Sequence, residues 1–149
     1  MTSGIELVRP PDLAGTVPYA YAAVTDPGRM VFTAGACPLD ADGATVAVGD
    51  VAGQARQVMA NLATALAAAG AALTDVLKTT VYVATTDRAD LITAWDVVQG
   101  AFGAHAAPST LVGVTVLGYP DQLVEVEAVA VRDSWQEPGP PDDASTVAE

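Results

Sequence analysis

Between Ser109 and Arg132 the chain reads STLVGVTVLGYPDQLVEVEAVAVR, two extended runs separated by a turn, and this stretch limits the available folds more than any other. The first run, Thr110 to Val116, is rich in β-branched residues, and the second, Leu123 to Val131, alternates with period two. Both are predicted strands. Successive side chains of a strand leave opposite faces, so Val124, Val126, Ala128 and Ala130 share one face while Glu125, Glu127, Val129 and Val131 share the other. The two carboxylates then stand roughly 7 Å apart at their α-carbons. Gly118-Tyr119-Pro120-Asp121 supplies the turn, since glycine is free in φ and proline presets it. The acidic face has to meet water, a ligand cleft or another subunit. On the strand pattern alone a solvated face is the simpler reading of Glu125 and Glu127, and a general acid or base in a cleft is the alternative.

The apolar face of such a strand needs a cover. Asp50 reads as an N-cap, and Val51, Ala55, Val58, Leu62, Leu66 and Ala69 recur at helical spacing up to Gly70. That predicts a helix roughly 30 Å long, with Arg56, Gln57 and Asn61 mostly off the stripe and solvated. Leu77 to Val83 alternates as a half-buried strand, and Asp87 or Asp90 caps a second helix carrying Leu91, Trp95, Val98 and Phe102. Gly103 stops it. Nearer the N-terminus, Ile5 to Val8 is a strand candidate, and Tyr21 to Val24 and Met30 to Thr33 flank Asp26-Pro27-Gly28-Arg29, an expected hairpin turn. The small residues of Ala34-Gly35-Ala36-Cys37 let the backbone bend or approach a ligand. The order β, β-hairpin, α, β, α, β, β predicts an α+β sandwich with both helices on one face of a sheet.

The length of 149 residues fits one domain, assigned to residues 1–132. Residues 133–149 hold Asp133, Glu137, Asp142, Asp143 and Glu149, no base, and little apolar surface beyond Trp135, which predicts disorder. The net charge of −12 argues against nucleic acid or anionic lipid as partners. No apolar run is long enough to span a bilayer, and with a single cysteine a cytoplasmic location is expected. One cysteine and one histidine cannot build a zinc or iron site, and no phosphate-binding glycine motif is present, so neither metal nor cofactor is expected. A Cys37–His105 nucleophilic pair is conceivable, but a core thiol and a solvated imidazole are the simpler readings. Lys78 on a strand is expected to face water.

Several segments in order carry a resemblance: Pro18-Tyr19; Val31-Phe32-Thr33-Ala34-Gly35 with Pro38-Leu39; Gly49-Asp50-Val51 with Gln54 and Asn61; residues 68–81, AAGAALTDVLKTTV; and Val124-Glu125-Val126-Glu127-Ala128-Val129-Ala130. Together, across roughly residues 15–132, they resemble the Rid/YjgF family of reactive-intermediate deaminases. The resemblance implies a chorismate-mutase-like (YjgF-like) fold and a homotrimer whose sheets form a central barrel with the helices outside. It also implies three clefts between subunits. In similar proteins the glutamate matching Glu125 lies at the cleft, lined also by residues matching Tyr19, Ala34 (usually serine) and, by the Phe102 spacing, Asp96. Deaminating members carry an arginine just before the fifth strand that pairs with a substrate carboxylate. Counting back from Leu117, that position is Ser109.

The expected function is therefore that of an arginine-less relative acting on a small neutral or cationic imine, enamine or carbonyl compound. Glu125 is the acid/base, Tyr19, Ser109 and Thr110 bind the polar part, and backbone N–H groups near Gly35 or Gly113 polarise an oxygen. The alternatives are a trimer that binds a metabolite or partner protein without catalysis, and deaminase activity retained through another cation.

Overall fold

The computed structural model describes residues 4–132; the acidic segment expected to lack order lies outside them. Its elements are β1 (Ile5–Val8), β2 (Ala22–Thr25), β3 (Arg29–Phe32), α1 (Val51–Ala68), β4 (Val76–Ala84), α2 (Arg88–Phe102), β5 (Ser109–Val114) and β6 (Val124–Arg132). A four-stranded sheet runs in the order β3-β6-β4-β5, with β4 and β5 parallel and the other pairs antiparallel. The parallel pair requires a crossover, which α2 provides.

The expected hairpin does not form. β2 pairs with β1 in a separate two-stranded sheet, and β3 pairs with β6. The two flanks of Asp26-Pro27-Gly28-Arg29 take their ladder partners elsewhere, β2 from the preceding β1 and β3 from the distant β6. β5 and β6 are likewise not neighbours, since β4 runs between them.

Both helices cover one face. Val124, Val126, Ala128 and Ala130 of β6 are buried there with Val58, Leu62 and Leu66 of α1 and Ala94, Val98 and Phe102 of α2. In β4 a bulge between Val76 and Lys78 shifts the register by one residue, so Val76 and then Thr79, Val81 and Val83 all face the helices. Asp50 caps α1 by accepting from the Gly53 N–H, and Asp87 caps α2 through the Ala89 N–H. Gly70 and Gly103, at φ of 79° and 61°, end the two helices in a conformation that favours glycine.

Gln54 is a buried polar residue of α1 with its amide fully used. Its Oε1 accepts from the Leu123 N–H at 2.7 Å, and its Nε2 donates to the Asp121 carbonyl at 2.9 Å. It therefore fixes the entry of β6 against α1. Asn61, expected to be solvated, instead donates to the carbonyls of Cys37 and Leu39 at 2.8 and 2.9 Å and receives a bond from Gln57. Those bonds hold the segment that follows β3.

Candidate functional site

The other face of the sheet carries Lys78, Thr80 and Tyr82 of β4 with Glu125 and Glu127 of β6, in register as Thr80 opposite Glu127 and Tyr82 opposite Glu125. On this face Phe32 is 74% exposed. The two glutamates have different partners. Glu127 Oε1 accepts from the Tyr82 hydroxyl at 2.7 Å, and that bond, followed by burial, raises the Tyr82 pKa above its ordinary value. Glu127 also lines a hollow of about 290 Å³ with Phe32, Thr33 and Lys78.

Glu125 instead sits under the segment that leaves β3. Ala36 bridges Val126, with Ala36 N–H donating to the Val126 carbonyl at 2.8 Å, which lays Gly35 directly over the Glu125 side chain. A β-carbon at Gly35 would stand 2.6 Å from Glu125 Cδ, far inside carbon contact distance, so only glycine fits over this carboxylate as it is placed. Cys37 Sγ lies 3.7 Å from Glu125 Oε1 and 3.5 Å from the Gly35 carbonyl. Burial first, and then the Glu125 charge, push the Cys37 thiol above its usual pKa, so the protonated thiol is the donor to the carboxylate. Gly35 and Cys37 open onto a polar hollow of about 560 Å³ with Asp40, Gln57, Asn61 and Tyr119. Sequence reasoning did not place Cys37 beside Glu125, because the two are 88 residues apart.

The remaining residues expected at the site lie elsewhere in the protomer. Tyr19, Ser109 and Thr110 line a cleft of about 370 Å³ with Pro18, Trp95 and Leu111, at the free edge of β5. Tyr19 meets Trp95 edge to face, centroids 6.3 Å apart at 86°. Trp95, read from the sequence as a core position on α2, is half-buried and also forms this wall. Asp96 lines a third groove, between the helices, with Arg56, Met59 and Gly100. Ala34 is exposed. Lys78 is exposed, as expected of a strand lysine facing water, and donates to Thr110 Oγ1 at 2.7 Å. His105 and Cys37 do not pair: the imidazole Nε2 is 2.7 Å from the Val76 carbonyl, and the ring stacks at a tilt on Phe102. Among the described residues no cluster of His, Cys, Asp and Glu could hold a metal ion, and no helix is long and apolar enough to cross a membrane.

Comparison with known proteins decides the family. A model of the family described as Endoribonuclease L-PSP matches residues 12–132. The chain belongs to the Rid/YjgF family. A crystal structure of YyfB from Yersinia pestis, a protein of unknown function of the conserved Rid family, superposes with a TM-score of 0.80 at 32% identity, covering 87% of this chain and 99% of that one. The 2-iminobutanoate/2-iminopropanoate deaminase of Salmonella typhimurium is 38% identical over 114 residues, 75% of this chain and 87% of that protein. Escherichia coli TdcF, solved with bound serine, superposes at a TM-score of 0.61 with 33% identity, covering 86% of this chain and 99% of that one. The α+β arrangement, with two helices on a mixed sheet, is thus that of other Rid-family structures.

Proposed function

We propose that this Rid-family protein acts on a small neutral or cationic imine, enamine or carbonyl compound by Glu125-assisted acid/base chemistry, in a cleft completed by a neighbouring copy in a homotrimer. The observation that carries this is the division of the site. Gly35, which lies over the Glu125 carboxylate, and the Tyr19, Ser109 and Thr110 cleft line different hollows of one protomer, so a second copy laid against the first would be needed to join them. The open sheet face, with Phe32 largely exposed beside Glu127, is the surface on which such copies would meet.

For a hydrolysis, Glu125 takes a proton from water as the oxygen adds to the C=N carbon. With the imine protonated at the start, it returns that proton to the carbinolamine nitrogen and then takes up the hydroxyl proton as the C–N bond breaks, leaving a carbonyl and ammonia, which collects that last proton as ammonium. Tautomerisation and cyclisation use the same proton traffic. Ser109 stands where deaminating relatives carry an arginine, and no arginine lines either hollow among the described residues. A hydroxyl cannot replace a charge-assisted bidentate pair, so carboxylate-bearing imines such as 2-iminopropanoate are poor substrates in this reading. The same substitution favours, as a second reading, a trimer that binds a metabolite in these clefts without turning it over.

The test is a panel of imines of differing charge, generated in situ and followed by ammonia release. Glu125→Gln is expected to abolish any acceleration. Gly35→Ala forces the carboxylate back by about 1 Å to restore carbon contact distance, and is expected to lower the rate on the order of a hundredfold. Turnover that survives Glu125→Gln unchanged would exclude acid/base catalysis by Glu125, and no turnover on any imine would favour the binding protein. Faster pyruvate release from a dehydratase that forms 2-aminoacrylate would contradict the substrate preference.

A further inference from the structure

The amide of Asn61 is wholly occupied within the protein. Its Nδ2 donates to the Cys37 and Leu39 carbonyls at 2.8 and 2.9 Å, and its Oδ1 accepts from Gln57 Nε2 at 2.9 Å. Gln57, one turn earlier on α1, takes the oxygen end of that amide and so turns its nitrogen end towards the segment after β3. The two gripped carbonyls flank Pro38, which is fully buried. On its other side the segment is tied to β6, where Ala36 and Val126 exchange backbone bonds at 2.8 and 3.2 Å. Residues 36–39 are therefore held at two points, one on a strand and one on a helix. Between and beside those points lie the two residues that meet Glu125: Gly35 over its carboxylate, and Cys37 with Sγ 3.7 Å from Oε1.

We propose that Asn61 is a positioning residue for Glu125, acting through residues 37–39 to hold the Cys37 thiol and the Gly35 backbone against the carboxylate. The inference deepens the reading of Glu125 given above and rests on it. With Oε1 facing the thiol, Oε2 is left for proton transfer. Displacing a reacting group by about 1 Å costs on the order of a hundredfold in rate, so bonds that fix the segment lying over the carboxylate bear on turnover. Asn61 has no hydrogen left to offer a substrate, which separates this role from substrate binding.

The experiment compares iodoacetamide alkylation of Cys37, the chain's single cysteine, in four full-length proteins: the unaltered chain, Glu125→Gln, Asn61→Ala and the double variant. With Asn61 in place, Glu125→Gln is expected to speed alkylation at least about threefold, because a carboxylate beside a thiol disfavours the thiolate. Without Asn61 the thiol is released from the carboxylate, and the same substitution should change the rate by about 1.5-fold or less, the remainder expected once their separation roughly doubles. Asn61 lines the polar hollow, so water can reach both freed carbonyls and Asn61→Ala should fold. Gln57→Leu, which keeps Asn61 but frees its amide to turn, is a second background and should lower the coupling part-way. Assayed well below its melting temperature, Asn61→Ala should also lower kcat on any responsive imine about tenfold or more, with KM little changed. A threefold effect of Glu125→Gln that persists in Asn61→Ala, or in Gln57→Leu should Asn61→Ala not fold, would overturn the proposal, as would unchanged turnover in Asn61→Ala. The alkylation comparison involves no turnover, so a chain inactive on every imine would refute the catalytic reading and leave this one standing, whereas persistent coupling would remove Asn61 and leave the Glu125 chemistry standing.

Discussion

Replacing Glu125 by glutamine should make Cys37 react faster, and the geometry sets how much. The thiol sulfur lies 3.7 Å from the carboxylate oxygen, so creating a thiolate there costs about 1 kcal/mol of repulsion even at the dielectric constant of water. Removing the charge then lowers the thiol pKa and, at about 1 kcal/mol, multiplies the thiolate fraction by about six. A less basic thiolate is a weaker nucleophile, which returns about half of that gain. The net expectation is alkylation by neutral iodoacetamide at least about threefold faster at neutral pH. Burial remains the larger cause of the raised thiol pKa, so the variant should still react more slowly than an unfolded chain. Since the chain has one cysteine, the rate reports this position alone. Glu127→Gln is the control: its carboxylate is held by Tyr82, and the rate should not change. An unchanged or slower rate in Glu125→Gln would mean that the carboxylate does not stand beside Cys37, and the site built on that contact would fall.

Gln54→Leu should destabilise the fold by about 2–4 kcal/mol in urea denaturation, because it strands the Leu123 N–H and the Asp121 carbonyl without partners. A loss under about 0.5 kcal/mol would show that water replaces both bonds. Stability should also fall as the pH rises above about 9. Cys37 and Tyr82 both have folded-state pKa values above their ordinary ones, so the folded chain holds protons that the unfolded chain has released, and alkali favours unfolding. Tyr82→Phe and Cys37→Ala should each flatten that decline in thermal melts; an equally steep decline in both would contradict the assignment.

The local code of the chain was legible wherever one element carried its own signal. Asp50, the stripe from Val51 to Leu66 and Gly70 spell α1 from cap to stop, and the alternation from Val124 to Val131 spells which side of β6 is buried. What pattern could not supply was partnership. Asp26-Pro27-Gly28-Arg29 reads as a hairpin turn, but β3 finds its ladder on β6, about a hundred residues on, and β2 finds its own on β1. Asn61 and His105 read as solvated for the same reason, since each meets its partner through sequence separations of 22 to 29 residues. The site shows the limit most clearly. Glu125 could be singled out as a carboxylate on an apolar strand, but that it lies under Gly35 and beside Cys37, away from Tyr19 and Thr110, follows only from how the strands are ordered.

That separation makes assembly the point on which the account stands. Light scattering on the purified chain, coupled to size-exclusion chromatography, is expected to give about three times the 15.0 kDa chain mass. A mass of one chain at working concentration would leave the hollow at Gly35 and Cys37 and the Thr110 cleft unjoined, and would contradict a site shared between copies.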